Sequence, residues 1–240
     1  MSELLKNIFS KLRSTPIHPQ WFAFFREERH LHEACMGLHG VVLDVGCADG
    51  RPRRHLSADA RYVGLDFFST AKQWYGTRPD VYADAQLLPL ANASIDHSLL
   101  LDVLEHIPHP DRCLSELHRV LKPGGTLRIQ VPFLYPLHDV PLDFNRWTRF
   151  GLQRAAHKYG FEVVDIVAIG HPLETAALNA NIALSKTVVN WLRRKNPLAL
   201  LGALLPIVVP LINCLARGLA ALDGNEELMP YSYRTVWVKK

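Results

Sequence analysis

The chain has 240 residues, 48% of them apolar and 21% charged, which is enough to bury a substantial core as one large domain or one and a half and excludes a disordered or fibrous protein. A net charge of +4 is too small to mark a nucleic-acid surface by itself, so no nucleic-acid partner is expected. Cys35, Cys47, Cys113 and Cys214 lie far apart without a Cys-x-x-Cys pair, which argues against a zinc knuckle or a disulfide scaffold and suits a reducing, cytoplasmic compartment.

The stretch from Met1 to Arg13 lacks the apolar core and cleavage site of a secretory signal. Leu4, Leu5, Ile8, Phe9 and Leu12 recur at helical spacing among Lys6, Lys11 and Arg13. That pattern predicts a short basic amphipathic helix, lying on a membrane surface or capping the globular core. Residues 1–40 are read as an N-terminal helical cap and residues 41–173 as the core.

From Val41 onward, short β-branched or leucine-rich runs alternate with helical stretches. This is the pattern of an α/β, doubly wound, Rossmann-like sheet, mostly parallel, with seven strands and an antiparallel last strand. The predicted strands are Val41–Val45, Arg61–Leu65, Val81–Ala83, Ile95–Leu101, Thr126–Val131, Phe161–Ala168 and Ser232–Lys239. A helix is expected to start near Arg51-Pro52. Asp111–Leu121 reads as another, with Leu114, Leu117, His118 and Leu121 on one face and Pro123-Gly124-Gly125 as its stop. Thr148–Tyr159 reads as a third, with Thr148 as N-cap and Gly160 as the C-terminal stop.

Residues 174–226 break this rhythm and form an apolar helical insertion before the last strand, which takes residues 227–240. Asn196 to Ala216 carries no charged residue and is long enough to reach across a bilayer, whose core needs about 20 apolar residues. Pro206 and Pro210 interrupt it, however, and the last strand must rejoin the sheet on the side where the chain left. A re-entrant or interfacial hairpin fits better, with Lys186, Arg193, Arg194 and Lys195 facing anionic headgroups at the inner membrane face. A homodimer interface or a buried lid would account for the same apolar surface.

The chemistry gathers at the strand ends. Val41-Val42-Leu43-Asp44-Val45-Gly46-Cys47-Ala48-Asp49-Gly50 runs a buried strand into a loop of small residues, where an open α/β sheet forms its ligand crevice. Neither a dinucleotide Gly-x-Gly-x-x-Gly fingerprint nor a phosphate loop is present, since Ala48 and Arg51 stand where the second and third glycines would be. Asp44, Asp49, Asp66, Asp84 and Asp102 close the first four strands. A crevice so lined repels pyrophosphate and suits a cationic, phosphate-free adenosyl ligand, S-adenosylmethionine.

At these residues the sequence resembles the class I S-adenosylmethionine-dependent methyltransferases of the type 11 group, over roughly Val41 to Ala168 and the last strand. Leu43 to Gly50 is similar to the family's first motif, Gly64-Leu65-Asp66 to its second, and Ala83 to Leu90 to its adenine-side motif. Ser94 to Ile107 and Arg119-Val120-Leu121-Lys122-Pro123-Gly124-Gly125 match the fourth strand and the approach to the fifth. The resemblance implies that Gly46, Cys47, Ala48 and Gly50 lie along the methionine moiety with Asp44 orienting the loop. It further implies that Asp66 holds the ribose, that Asp84 accepts from the adenine amino group with Phe67 and Ala85 covering the ring, and that Leu101 and Asp102 line the amino-group path. Ala48 departs from the glycine common at that position.

The segment Pro132 to Thr148 is aromatic and proline-rich, as a substrate-facing loop would be. Its Pro-Phe-x-Tyr-Pro-x-His opening and Asp-Phe-x-Arg-Trp-Thr close resemble methyltransferases acting on sugars or lipid-linked glycans. His138 is the candidate base, Tyr135 and Trp147 are candidate stacking rings, and Arg146 is a candidate acceptor contact. The other histidines show no His-Glu-x-x-His or comparable spacing, so no metal is expected. The expected function is methyl transfer to a small-molecule, sugar or lipid-linked glycan acceptor at the cytoplasmic membrane face. The competing reading is a non-catalytic scaffold that keeps the cofactor fold and recruits partners through its apolar insertion.

Overall fold

A computed structural model of the chain describes residues 12–224 and 227–240. The amphipathic stretch anticipated from Met1 to Arg13 falls, up to Lys11, outside the described residues.

Seven strands form a single sheet: β1 (Gly40–Val45), β2 (Ala60–Asp66), β3 (Val81–Tyr82), β4 (Ile95–Leu101), β5 (Leu121–Pro132), β6 (Phe161–Ile169) and β7 (Ser232–Lys239). Their spatial order is β3-β2-β1-β4-β5-β7-β6. The first five run parallel, and β7 is antiparallel to both β5 and β6. The chain leaves β3 at one edge and returns to the middle as β4, so the order reverses between β1 and β4, the position beyond whose carboxyl strand ends open α/β sheets bind their ligands.

The chain divides into two compact units, Leu31–Ile169 with Ser232–Lys240, and the described residues up to His30 with Gly170–Tyr231. This grouping joins the N-terminal segment to the apolar insertion, which the sequence reading kept apart.

In the sheet unit, alternation along β1 sends Leu43 and Val45 into the main core and Val42 to the opposite face. Helix α1 (Glu27–Cys35) brings Cys35 against Val42 and Leu99 on that opposite face. Helix α2 (Pro110–Val120) covers the main core with Cys113, Leu114, Leu117 and Val120, the apolar stripe that the spacing anticipates. Helix α3 (Arg149–Lys158) adds Leu152, Ala155 and Ala156, and Thr148 caps it by accepting from the Gly151 amide at 3.0 Å. Two local expectations change. The helix expected at Arg51-Pro52 is only a 3₁₀ turn, Arg51–His55, because β2 begins at Ala60 and leaves no length for more. Pro123-Gly124-Gly125 does not separate helix from strand. It forms an irregularity inside β5, whose register jumps from Ile95 opposite Leu121 to His97 opposite Thr126. Gly125 is required there, since a Cβ would lie 2.8 Å from the Lys122 carbonyl oxygen and 2.9 Å from that of Asp96.

In the other unit, helix α4 (Pro172–Arg193) begins with a capping box formed by His171 and Glu174. A 3₁₀ stretch, Pro197–Leu204, leads into helix α5 (Leu205–Asp223). Pro206 sits in the first turn, where its missing N–H costs nothing. Polar groups tie α4 to α5: buried Asn181 donates to buried Asn213 at 2.9 Å, and the partly exposed Arg217 donates to buried Glu174 at 2.7 Å. The outward face of this segment is apolar. Leu204, Ile207, Leu211, Leu215, Leu219 and Leu222 are all more than half exposed, whereas the inward positions are Val209, Asn213, Ala216 and Ala220. This inverts the usual amphipathic pattern. Among the described residues, Pro197–Asp223 is the one segment long and apolar enough to cross a membrane by length and composition.

Candidate active site

The loop after β1 is shaped by close backbone approach. Gly46 adopts φ +72°, and a Cβ there would lie 2.4 Å from Val103 Cγ2. The amides of Gly46 and Cys47 both donate to the Leu65 carbonyl, at 2.8 and 3.1 Å. Ala48 has φ +45°, a conformation that costs a non-glycine residue about 1 kcal/mol or more. It is held there because its amide donates to Asp66 Oδ2 at 2.8 Å, while the Phe67 amide donates to Oδ1 at 2.7 Å. One carboxylate therefore clamps the β1 loop to the end of β2. Each of its oxygens keeps a second lone pair.

The five strand-end acids sit in different environments. Asp44 is 2% exposed and accepts from the Tyr62 hydroxyl at 2.6 Å. Burial raises its pKa to about 7, the Tyr62 hydrogen bond opposes this, and Asp66 and Asp49 add to it. Burial likewise raises Asp66, against the two amide bonds. Asp84 is half-buried and occupied by Gln86, whose amide and side chain donate to it at 2.8 and 3.1 Å. The Gln86 Oε1 atom is buried without a partner. Asp102 is exposed at φ +54° and accepts from Gln130 Nε2 at 2.7 Å. Asp49 is exposed at the tip of the loop. Gly50 closes that loop at φ +69°. The Phe67 ring is 52% exposed beside this rim, whereas Cys47 is buried and Ala85 and Leu101 are half-buried against the core clusters. The set consists of acceptors and small apolar walls, and Gly46 lets the loop backbone pack directly against Val103. It fits a cationic, hydroxylated group and offers nothing to phosphates.

The segment after β5 folds back on the turn Leu104–His106. The Glu105 carbonyl accepts from the Phe144 and Asn145 amides at 2.9 and 3.1 Å, and Asn145 Nδ2 donates to the Ile107 carbonyl. Arg146, expected to contact an acceptor, is committed within the loop. Its guanidinium binds both oxygens of Asp143 and donates to the carbonyls of Tyr135, Pro136 and Asn145, which uses all five of its N–H groups. Asp143 is held at about 2 by that pairing. Trp147, expected to stack on a sugar, packs partly buried against the main core. Tyr135 stays at the site, edge-on to His138 with ring centroids 5.4 Å apart.

His138 Nδ1 lies 3.2 Å from Asp143 Oδ2 and 3.3 Å from the Pro136 carbonyl oxygen. The Glu105 carboxylate raises its pKa, against the opposing effect of burial. His106 stands edge-on to His138 at 4.9 Å. Sequence reasoning missed three members of this site. Asp143 could have been found from its i,i+3 relation to Arg146. Glu105 looks like an ordinary helix residue in Leu-Glu-His. Tyr75 donates to Asp139 at 3.2 Å, and burial raises its pKa to about 12, with Asp139, Asp66 and Glu105 adding. Nothing in its local sequence announces that neighbourhood.

Residues 43–129 match the family model described as Methyltransferase domain (Methyltransf_11). A protein of Mycolicibacterium smegmatis described as a probable S-adenosylmethionine-dependent methyltransferase is 31% identical over 164 residues, 63% of either chain. The O-methyltransferase cnsE of Penicillium expansum is 27% identical over 53% of this chain and 54% of its own. The chain thus spans between half and two thirds of the length of these relatives. The crystal structure of the PH0226 protein from Pyrococcus horikoshii superposes with a TM-score of 0.52, at 17% identity, over 100% of both chains, a likeness of fold.

Two variants test this geometry. Because the folded chain holds the Asp44 proton up to about pH 7 and the unfolded chain releases it near pH 4, this group contributes most stability below about pH 4 and loses it as pH rises to about 7. In urea unfolding, Asp44→Asn is expected to lose less stability than wild type between about pH 5 and pH 8; identical slopes would contradict the buried-acid assignment. Replacing Arg146 by Met leaves the Asp143 side chain, 2% exposed, without its cation and is expected to cost about 3–5 kcal/mol in the same assay. A loss under about 1 kcal/mol would place the pair with surface ion pairs instead.

Proposed function

The chain carries a class I S-adenosylmethionine-dependent methyltransferase domain of the type 11 group, and on that premise we propose that it transfers the methyl group to a hydroxyl of a sugar or lipid-linked glycan at a membrane surface. The observation that carries the transfer reading is the Asp66 clamp on the β1 loop, among acidic strand ends at the β1/β4 reversal. When bound, S-adenosylmethionine supplies a sulfonium-borne methyl for in-line displacement. The chain's residues do the rest. The remaining lone pairs of Asp66 receive the ribose hydroxyls, Asp84 and Gln86 face the adenine edge, and Phe67 and Ala85 flank the ring. Gly46, Cys47, Ala48 and Gly50 accommodate the methionine moiety, with Leu101 and Asp102 on its amino side and Asp44 bracing the loop from below.

The acceptor reading rests on the loop after β5. Tyr135 offers a ring to a sugar, and Leu137, Val140 and Phe144 expose apolar surface around it. In-line transfer to a hydroxyl requires alignment and removal of one proton. His138, with Glu105 behind it, is the residue through which that proton is drawn off. The exposed leucine stripe of α5, with Arg193, Arg194 and Lys195 exposed at the end of α4, supports a peripheral contact with an anionic, cytoplasmic leaflet.

Calorimetry with S-adenosylmethionine tests the cofactor assignment. Asp66→Ala is expected to weaken binding by about 1.5–3 kcal/mol, whereas His138→Ala retains wild-type affinity but loses about 100-fold or more of the label transferred into a membrane glycolipid extract. Unchanged affinity in the Asp66 variant would remove the assignment. Lipid contact is read by flotation with anionic vesicles: the full chain is expected to float and a chain lacking 196–216 to remain at the bottom, while a soluble, dimeric full chain would contradict it.

A further inference from the structure

Glu105 is 0% exposed, and neither of its carboxylate oxygens has a hydrogen-bond partner. Its Oε1 faces His106 Nε2 and His138 Nε2, each 3.7 Å away, too far for a hydrogen bond. The other nitrogen of each ring is already committed. His106 Nδ1 lies 2.8 Å from the Leu142 carbonyl oxygen, and His138 Nδ1 faces the Pro136 carbonyl and Asp143 Oδ2. Those partners only accept, so each Nδ1 carries its ring's proton, and in the neutral rings each Nε2 presents a lone pair toward Glu105. Three electron-pair donors therefore converge with nothing to share between them. All three lie within 4.8 Å of one another. A carbonyl or carboxylate behind the distal N–H is also the arrangement that fixes the tautomer and orientation of a metal-binding histidine.

We propose that Glu105, His106 and His138 form a site for one divalent transition-metal ion. Two imidazoles and one carboxylate select zinc or a neighbouring first-row ion over magnesium or calcium, and three protein ligands leave coordination positions open. The site is built in advance, because the Glu105 carbonyl already accepts from Phe144 and Asn145, which pins the loop bearing His138 to the turn bearing the other two ligands. Asp139 Oδ2, 3.9 Å from His106 Nε2, adds negative charge on the open side. This deepens the proposed function and rests on its acceptor loop: a bound ion would hold the acceptor oxygen and lower its pKa so that its proton passes to water, with His138 serving as a ligand to the ion in place of acting as a free base. Sequence spacing does not reveal the site, because the adjacent Glu105-His106 pair and His138 come from different loops.

The test uses the full-length, chelator-stripped protein titrated with zinc by calorimetry, with cobalt(II) absorption as a second readout, and S-adenosylmethionine affinity measured on the same samples. Wild type is expected to bind one zinc ion per chain. Glu105→Gln and His138→Gln are each expected to weaken it by more than the roughly 10–100-fold that loss of an outer-shell partner costs, to lose the cobalt band and to keep their affinity for S-adenosylmethionine. No zinc binding by wild type, or binding unchanged in both variants and hence seated at other histidine pairs such as His32–His55 or His39–His97, would overturn the proposal. Circular dichroism confirms the fold of each variant, and the wild-type titration decides the matter if one fails to fold. If wild type binds zinc but not S-adenosylmethionine, the metal site stands and the transfer reading falls; the converse result sinks the metal site alone.

Discussion

The crevice exists because one buried carboxylate holds two loops in place. Asp66 takes the Ala48 amide on one oxygen and the Phe67 amide on the other, while the Leu65 carbonyl beside it takes the amides of Gly46 and Cys47. Four backbone donors that would otherwise point into an apolar sheet end are satisfied by two adjacent residues of β2, which keeps the loop open and rigid. Ala48 tolerates a left-handed backbone only inside that network. The same carboxylate retains a second lone pair on each oxygen, so the group that builds the loop is still able to accept further hydrogen bonds.

A second fixed element meets the first. Arg146 spends every donor on Asp143 and three carbonyls, which turns a long proline-rich segment into a rigid arch over Leu104–His106. Tyr75 and Tyr135 bridge the two regions electrostatically: the Tyr75 phenol responds to both Asp66 and Asp139, and the Tyr135 phenol to Asp102 and Asp139. The strand-end acids and the His106–His138 pair thus belong to one neighbourhood of the sheet unit. Its negative potential favours a cationic ligand.

Much of this was legible in the sequence because it is local. The strand runs β4 and β7 match their predicted limits, and the apolar stripe of α2 and the Thr148 cap follow from spacing and residue type alone. The strand-end acids were legible for the same reason, since Asp66, Asp84 and Asp102 each directly follow a predicted strand. What was not legible depends on distant pairing. Arg146 looks like a ligand contact until Asp143 and three carbonyls are seen to occupy it, and Trp147 looks like a stacking ring until it is seen against the core. Glu105 reads as a surface residue of a helix start, and only the fold reveals that it is wholly buried opposite two histidines from separate segments.

The acidic strand ends around the Asp66 clamp select a cationic, phosphate-free ligand, and equilibrium dialysis measures that selection. With labelled S-adenosylmethionine, the full chain is expected to retain one equivalent that S-adenosylhomocysteine displaces and a large excess of ATP or NAD does not. Failure to retain the label, or its displacement by the phosphorylated nucleotides, would contradict the account.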